Sequence, residues 1–253
     1  MRIGIIGAGE IGSTLTRQYT SAGHQVKVAN ATGIEKLRSL ATETGAKPVL
    51  LADVVRDVHV IIISIPFFAV STLKDLFSRV SSDVTIVDTC NYYPIVSGVI
   101  PEVVDGMQES VWVSTQIARR VIKAYNTIFY RSLVHSGLPK GNPARLALPL
   151  AGDDAQAKEL VATLINDSGF DSYDSGSLQD SWRQQPGSPA YCTDLTLDEL
   201  KRSINKARRD LLPERRELGL KYILEFGPER WTDLVQLNRK IYESQCDPAK
   251  NIY

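Results

Sequence analysis

The sequence predicts an α/β fold: a doubly wound, mostly parallel sheet with a C-terminal helical extension. Three observations carry that prediction. Short apolar runs alternate with amphipathic stretches from Arg2 to Tyr173, the pattern of a sheet covered by helices on both faces. The first two runs are joined by a glycine-rich turn and a helix within about 30 residues, the length a right-handed βαβ crossover needs. Past Asp180 the alternation stops and three helical stripes follow.

Arg2–Ile6 reads as a short buried strand, with Gly7-Ala8-Gly9-Glu10-Ile11-Gly12 directly after it. Ile11, Leu15, Tyr19 and Ala22 then share one helix face, and Gly23 ends that helix. Gln25–Ala29 is the second strand, Ile34–Thr44 a helix stopped by Gly45, and Pro48–Leu51 a short third strand. Val58–Ile65 is nearly all β-branched, as a central parallel strand buried on both faces should be, and Pro66 closes it. A helix with Leu73, Leu76, Phe77 and Val80 on one face precedes the fifth strand, Val84–Val87, which ends at Asp88. Val121–Ala124, Arg145–Leu150 and Phe170–Tyr173 complete the set, with a helix over Asp154–Asn166 before the last.

Ser181–Asp194 is rich in Gln, Pro, Gly and Ser and reads as a loop, ordered or mobile. Leu200, Ile204, Ala207 and Leu211 form a stripe broken at Pro213; Glu214–Phe226 and the stripe Trp231, Leu234, Val235, Asn238 and Ile241 form two more helices. The expected division is a sheet domain over 1–178 and a loop plus helical extension over 179–253. The extension must bury its stripes over the open end of the sheet or against a second subunit, so a homodimer is expected.

Twenty-nine basic residues balance 29 acidic ones, which gives no reason to expect nucleic acid or an anionic membrane as partner. The basic run Lys201, Arg202, Lys206, Arg208, Arg209, Arg215 and Arg216 is interspersed with Asp198, Glu199, Asp210, Glu214 and Glu217 and reads as a solvated, salt-bridged face. No apolar run reaches the ~18 residues of a transmembrane helix, and glycines and Glu10 interrupt the N-terminus where a signal peptide would be apolar. Cys90, Cys192 and Cys246 form no C-x-x-C pair and read as reduced thiols, which points to the cytoplasm; His24, His59 and His135 are too scattered for metal, so no metal site is expected.

A G-x-G-x-x-G turn between a strand and a helix is the signature of a Rossmann dinucleotide site. Gly7 permits the tight turn, Gly9 removes the Cβ that would strike a pyrophosphate, and Gly12 lets the helix close on the sheet. The diphosphate then lies on free N–H groups of the first helical turn, with Glu10 and Ile11 contributing backbone rather than side chain. At the end of the second strand, where an NAD site usually carries Asp or Glu, the run is Ala29-Asn30-Ala31-Thr32. Asn30 and Thr32 can donate to a 2′-phosphate and Lys36 can add charge, so NADP(H) is favoured and NAD(H) stays admissible. Alternatively, Asn30 and Thr32 cap the following helix.

Ser64, Ile65, Pro66 and Phe67 leave the fourth strand at its carboxyl end, where ligands bind in open α/β sheets. Phe67 or Phe68 would wall the nicotinamide, unless both pack in the core. Asn91, after the fifth strand, is the preferred polar contact, while Asp88 either joins it or ties the loop down. Lys123 would offset cofactor or substrate charge and Asn126 would bond the carboxamide; a solvated lysine and a capping asparagine are the plain alternatives. Cys90 reads as structural.

GAGEIG at 7–12, SIPFF at 64–68, VDTCNYYP at 87–94, VIKAYNT at 121–127 and AGDD at 151–154 together resemble the NADP oxidoreductases that include the deazaflavin-dependent (coenzyme F420) NADP reductases. The reductase domain of the STEAP metalloreductases is a relative. GFDSYDSGSL at 169–178 and DSWRQQPGSPAYCTDL at 180–195 extend the likeness over roughly the first 195 residues. The resemblance implies hydride transfer between NADPH and a deazaflavin, a flavin or a small electrophile, with the protein fixing distance and angle. Relatives often carry Ser-Arg after the asparagine where this chain has Ala31-Thr32. Two other readings stand beside it: a β-hydroxyacid-type or imine-type reductase with Lys123 or Tyr125 as proton donor, and an NADPH-binding redox sensor without turnover.

Overall fold

The computed structural model describes residues 1–243; Cys246 lies outside the described residues. Eight strands form one sheet in the order β3-β2-β1-β4-β5-β6-β7-β8. They are β1 (Arg2–Ile6), β2 (Gln25–Ala29), β3 (Lys47–Pro48), β4 (Val60–Ile63), β5 (Thr85–Asp88), β6 (Ile122–Ala124), β7 (Ala147–Ala151) and β8 (Asp171–Asp174). Every neighbouring pair is parallel except β6 with β7, where Lys123 stands opposite Ala151 on an antiparallel strand. All eight expected strands are present. The third begins at Lys47 and stops at Pro48, because Leu51 opens a short helix, Leu51–Val54.

The chain leaves β1 toward β2 on one side and returns to β4 on the other. That reversal opens a crevice at the carboxyl ends of β1 and β4. Period-two alternation in β4 feeds two cores. Val60 and Ile62 join Ile5 and Val28 beneath Leu15, Tyr19 and Leu164. Ile61 and Ile63 join Ile6 and Ile86 under Phe67, Phe77 and Trp112. Each such side chain, fully buried, contributes about 1.5–3 kcal/mol from removed apolar surface, so the β4 run anchors both layers.

Several helices differ from expectation for local reasons. Ile34–Thr44 starts as a 3-10 turn over Ile34–Leu37 before the α-helix Arg38–Thr44. Asp154 caps its helix from outside, accepting the Ala157 N–H at 2.9 Å, so the helix itself is Ala155–Asp167. Pro213 does not break a helix. It sits in the first turn of Leu212–Phe226, where its missing N–H would have had no partner anyway. A further helix, Glu109–Ile117, was not anticipated.

The loop expected over Ser181–Asp194 is ordered and buried. A capping box between Ser177 and Asp180 starts a 3-10 helix, Leu178–Gln184, and Ser181, Gln184 and Ser188 have no exposed surface. Thr196 and Glu199 form a second capping box at the head of Leu197–Asn205, whose Leu200 and Ile204 pack against Ala147 of β7. The basic run is partly the solvated face expected: Lys201 pairs with Asp198 at 3.3 Å and Arg208 with Asp210 at 2.5 Å. Arg215 departs from it, buried with its guanidinium over the Tyr242 ring. Among the described residues no helix is long and apolar enough to cross a membrane.

Candidate dinucleotide site

The glycine turn closes the crevice by direct backbone contact. The Gly7 N–H donates to the Ala29 carbonyl and the Ser64 N–H to the Ile6 carbonyl, both at 2.8 Å, so the exits of β1, β2 and β4 are tied together. Gly7 has φ +105°, and a Cβ there would lie 1.9 Å from the Ser64 oxygen. A Cβ on Gly12 would lie 2.1 Å from the Gly7 oxygen. These two glycines are required by packing within the protein. Gly9 is different, because a Cβ there would meet nothing within 4 Å; it borders open space.

Gly9 is also the N-cap of α1 (Glu10–Ser21) and offers no side-chain cap. The first ladder bond runs from the Ser13 N–H back to the Gly9 carbonyl at 2.8 Å, which leaves the amides ahead of Ser13 without helical acceptors. Bare donors, the positive end of the helix dipole and clear space at Gly9 fit the diphosphate of a dinucleotide. Glu10 is exposed, so its carboxylate can turn to water.

At the end of β2 the Asn30 side-chain oxygen accepts the Thr32 N–H at 3.2 Å. That bond forms an Asx turn and orients the loop, while the Asn30 amide nitrogen remains the donor for a ligand. Thr32 and Lys36 are exposed; Glu35, the nearest acid, pairs with Arg38 at 2.7 Å. No carboxylate occupies the Asn30 position itself.

On the β4 side, Ser64 and Ile65 are half-buried beside the glycine turn and Pro66 is exposed. Phe67 requires a correction. It is 2% exposed and stacks on Trp112 with centroids 4.7 Å apart, because the 3-10 turn Phe67–Leu73 directs it into the core. Phe68 is the exposed ring.

Lys123 also requires a correction. Its ammonium is wholly buried, donates to the Cys90 carbonyl at 2.7 Å, and stands 3.6 Å from Asp88 and 3.5 Å from Glu109. The unanticipated helix supplies Glu109, and also Ser110, which donates to Asp88 at 2.6 Å. Asp88 accepts the Cys90 N–H at 2.9 Å as well, so it ties the loop down. Cys90 is structural, its thiol donating to the Ile65 carbonyl at 3.2 Å and pushed well above the ordinary thiol range by burial. Lys123 is therefore a core charge serving the β5 exit, outside the cleft.

Burial raises the Glu109 carboxyl from 4.5 to about 7, against the pull of Lys123. The folded chain holds this proton more tightly than the unfolded chain. The corresponding stability is present below about pH 4.5 and is lost as pH rises through about 7; the whole interval is worth roughly 3 kcal/mol. Urea unfolding from pH 5 to 8 should show this decline, and Glu109→Gln should flatten it. An unchanged slope in the variant would disprove the assignment.

Asn91 and Asn126 interlock. Asn126 donates to the Asn91 side-chain oxygen at 3.0 Å, and Asn91 donates to the Asn126 carbonyl at 2.9 Å. Gln184, which sequence reasoning missed, donates to the Asn126 side-chain oxygen at 3.1 Å and accepts from Ser175 at 2.8 Å. Asn126 is thus satisfied within the protein, and its expected carboxamide contact would require exchange of these bonds. Tyr125 is buried on the other face, bonding Tyr19 at 2.6 Å, and is no cleft proton donor. Tyr191 was also missed: its hydroxyl meets Tyr93 at 3.0 Å, closing the buried loop onto the β5 exit. The QQPGSPAY composition signalled a loop, and nothing local showed its burial.

Residues 2–92 match the model of the family described as NADP oxidoreductase, coenzyme F420-dependent. YjhV of Escherichia coli (strain K12) is 44% identical over 75 residues, which cover 30% of this chain and 55% of that protein. The chain thus spans about half the length of that curated relative. A solved hypothetical protein, SMa0349 from Sinorhizobium meliloti, is 29% identical with a TM-score of 0.65, covering 78% of this chain and 95% of its own. A candidate F420-dependent NADP-reductase from Arthrobacter sp. FB24 is 20% identical with a TM-score of 0.60, covering 72% and 87%, and shares the fold. The segment that builds the glycine turn, the Asn30 loop and the β4 exit therefore carries the sequence signature of the coenzyme F420-dependent NADP oxidoreductase family.

Proposed function

We propose that the chain is an NADPH-dependent reductase that passes hydride between the nicotinamide and a second redox cofactor, a deazaflavin or a flavin, or a small electrophile. One observation carries this reading: the unpartnered amides of α1 face open space at Gly9, in the segment that matches the family. When bound, the dinucleotide supplies the hydride. The amides ahead of Ser13 hold its diphosphate, Asn30, Thr32 and Lys36 meet the 2′ position, and Ser64, Ile65 and Pro66 line the approach to the nicotinamide. The Asn91–Asn126–Gln184 network fixes the β5 and β6 exits and keeps water out of the interior beside them.

Neutral donors and one exposed lysine give a modest 2′-phosphate preference, so NADPH should bind roughly tenfold tighter than NADH. NADPH oxidation should then be measured against deazaflavin, flavins, quinones and imines. Turnover with a ring acceptor supports the reductase. The imine or hydroxyacid reading loses its proton donors, since Lys123 and Tyr125 are both buried.

A redox sensor is the second reading, and the packed Leu178–Leu195 segment favours it, with Gln184 locked to Asn126 and Tyr191 to Tyr93. Saturable NADPH binding with no oxidation across the panel would select it. Residues 179–253 are read as the cover of the cleft or a homodimer contact, in a reducing, cytoplasmic setting suited to the free thiols Cys90 and Cys192. A monomer by light scattering would remove the dimer.

A further inference from the structure

We infer that the helical extension holds a second ligand site, separate from the glycine turn, for a small anion carried on an apolar body. A hollow of about 490 Å³ lies between the segment around Pro189–Leu195 and the three C-terminal helices, within the size range of small-molecule sites. Five cationic side chains line it, Arg202, Lys206, Arg208, Arg215 and Arg239, with Glu199 as the carboxylate of the lining. Arg208 is paired with Asp210 and Arg239 stands 3.8 Å from Glu199, so the excess positive charge rests chiefly on the rim pair Arg202 and Lys206.

The Glu199 carboxylate is already engaged by the Thr196 N–H at 2.8 Å and the Thr196 hydroxyl at 2.9 Å. Arg239 donates to the Thr193 carbonyl at 2.6 Å and so fixes one wall. Arg202 and Lys206 stand at i and i+4 on the exposed rim, and neither makes an ion pair among the described residues. Arg215 is 3% exposed at the back of the hollow, and burial lowers its guanidinium from the ordinary value. Cations gathered around a partly desolvated hollow attract an anion strongly, and forked guanidiniums match carboxylate or phosphate oxygens. Pro189, Leu195, Leu211 and the Tyr242 ring add apolar surface beside the hydroxyls of Thr193 and Ser203. The ligand is therefore amphipathic, with an anionic head and a small apolar body.

The two heads can be distinguished with phenyl phosphate and benzoate, which share one ring. The full chain should be titrated with each by calorimetry at low salt, with and without saturating NADPH. At least one should bind saturably at one per chain and independently of NADPH. The double rim variant Arg202→Glu with Lys206→Glu should weaken that binding about tenfold or more while leaving the melting temperature and NADPH affinity unchanged. The head group that binds more tightly identifies the chemistry. Absence of saturable binding by both probes, equal affinity in the variant, or displacement by NADPH would each overturn the site.

Discussion

Replacing Lys123 with Met is expected to destabilise the protein by about 3–5 kcal/mol at pH 8, measured by urea unfolding. The lysine has no exposed surface and is the cation facing both Asp88 and Glu109, at 3.6 and 3.5 Å. Its removal leaves two carboxylates in the interior with hydrogen bonds alone, and uncompensated buried charge is what makes breaking such a group costly. The loss should shrink below pH 6, where Glu109, raised to about 7, takes up its proton. A Lys123 acting in the cleft would give the opposite pattern, with turnover lost and stability kept.

Gly7→Ala should be the most damaging change in the glycine turn. The residue has φ +105°, and a Cβ would lie 1.9 Å from the Ser64 oxygen. Because the neighbour is backbone, relief requires moving the β4 exit, which the Ser64–Ile6 hydrogen bond at 2.8 Å holds in place. Backbone strain and overpacking together should cost roughly 2–6 kcal/mol. Thermal unfolding of the variant, with no cofactor present, would show it directly. A melting temperature equal to the parent's would mean that the turn is looser than its contacts indicate.

The sheet was legible because its signals are local. β4 announces itself as an unbroken β-branched run, and Gly7, Asn30, Ser64 and Gly152 stand directly after β1, β2, β4 and β7. The antiparallel entry of β7 was not legible, since strand direction is set by the path of the connection and not by the residues of the strand. The helix Glu109–Ile117 was missed for a different reason. Its apolar residues Trp112, Val113 and Ile117 are buried together with Glu109 and Ser110, and buried polar groups hide an amphipathic stripe.

The same blindness affected the site. Lys123 and Asn126, at the end of a strand, look like ligand contacts when their partners Glu109 and Gln184 are distant in sequence. A charge inside a strand has two explanations, a ligand or a buried counter-charge, and local sequence does not choose between them. The glycine turn escapes this ambiguity because the strand, the turn and the helix that define it are contiguous, and because Gly9 alone of its three glycines faces open space.

Titration of the parent and Gly9→Val with NADPH, followed by calorimetry alongside thermal unfolding, bears most directly on the role of the α1 amides. The valine Cβ would meet no protein atom within 4 Å and its methyls would fill the space ahead of the helix, so folding should be preserved while the diphosphate loses its seat. Saturable binding by the parent and a loss of about 100-fold or more in the variant, which still unfolds cooperatively with only the small drop in melting temperature that a poorer N-cap brings, is the expected result. Equal NADPH affinity in both proteins, or no saturable binding by the parent, would contradict it.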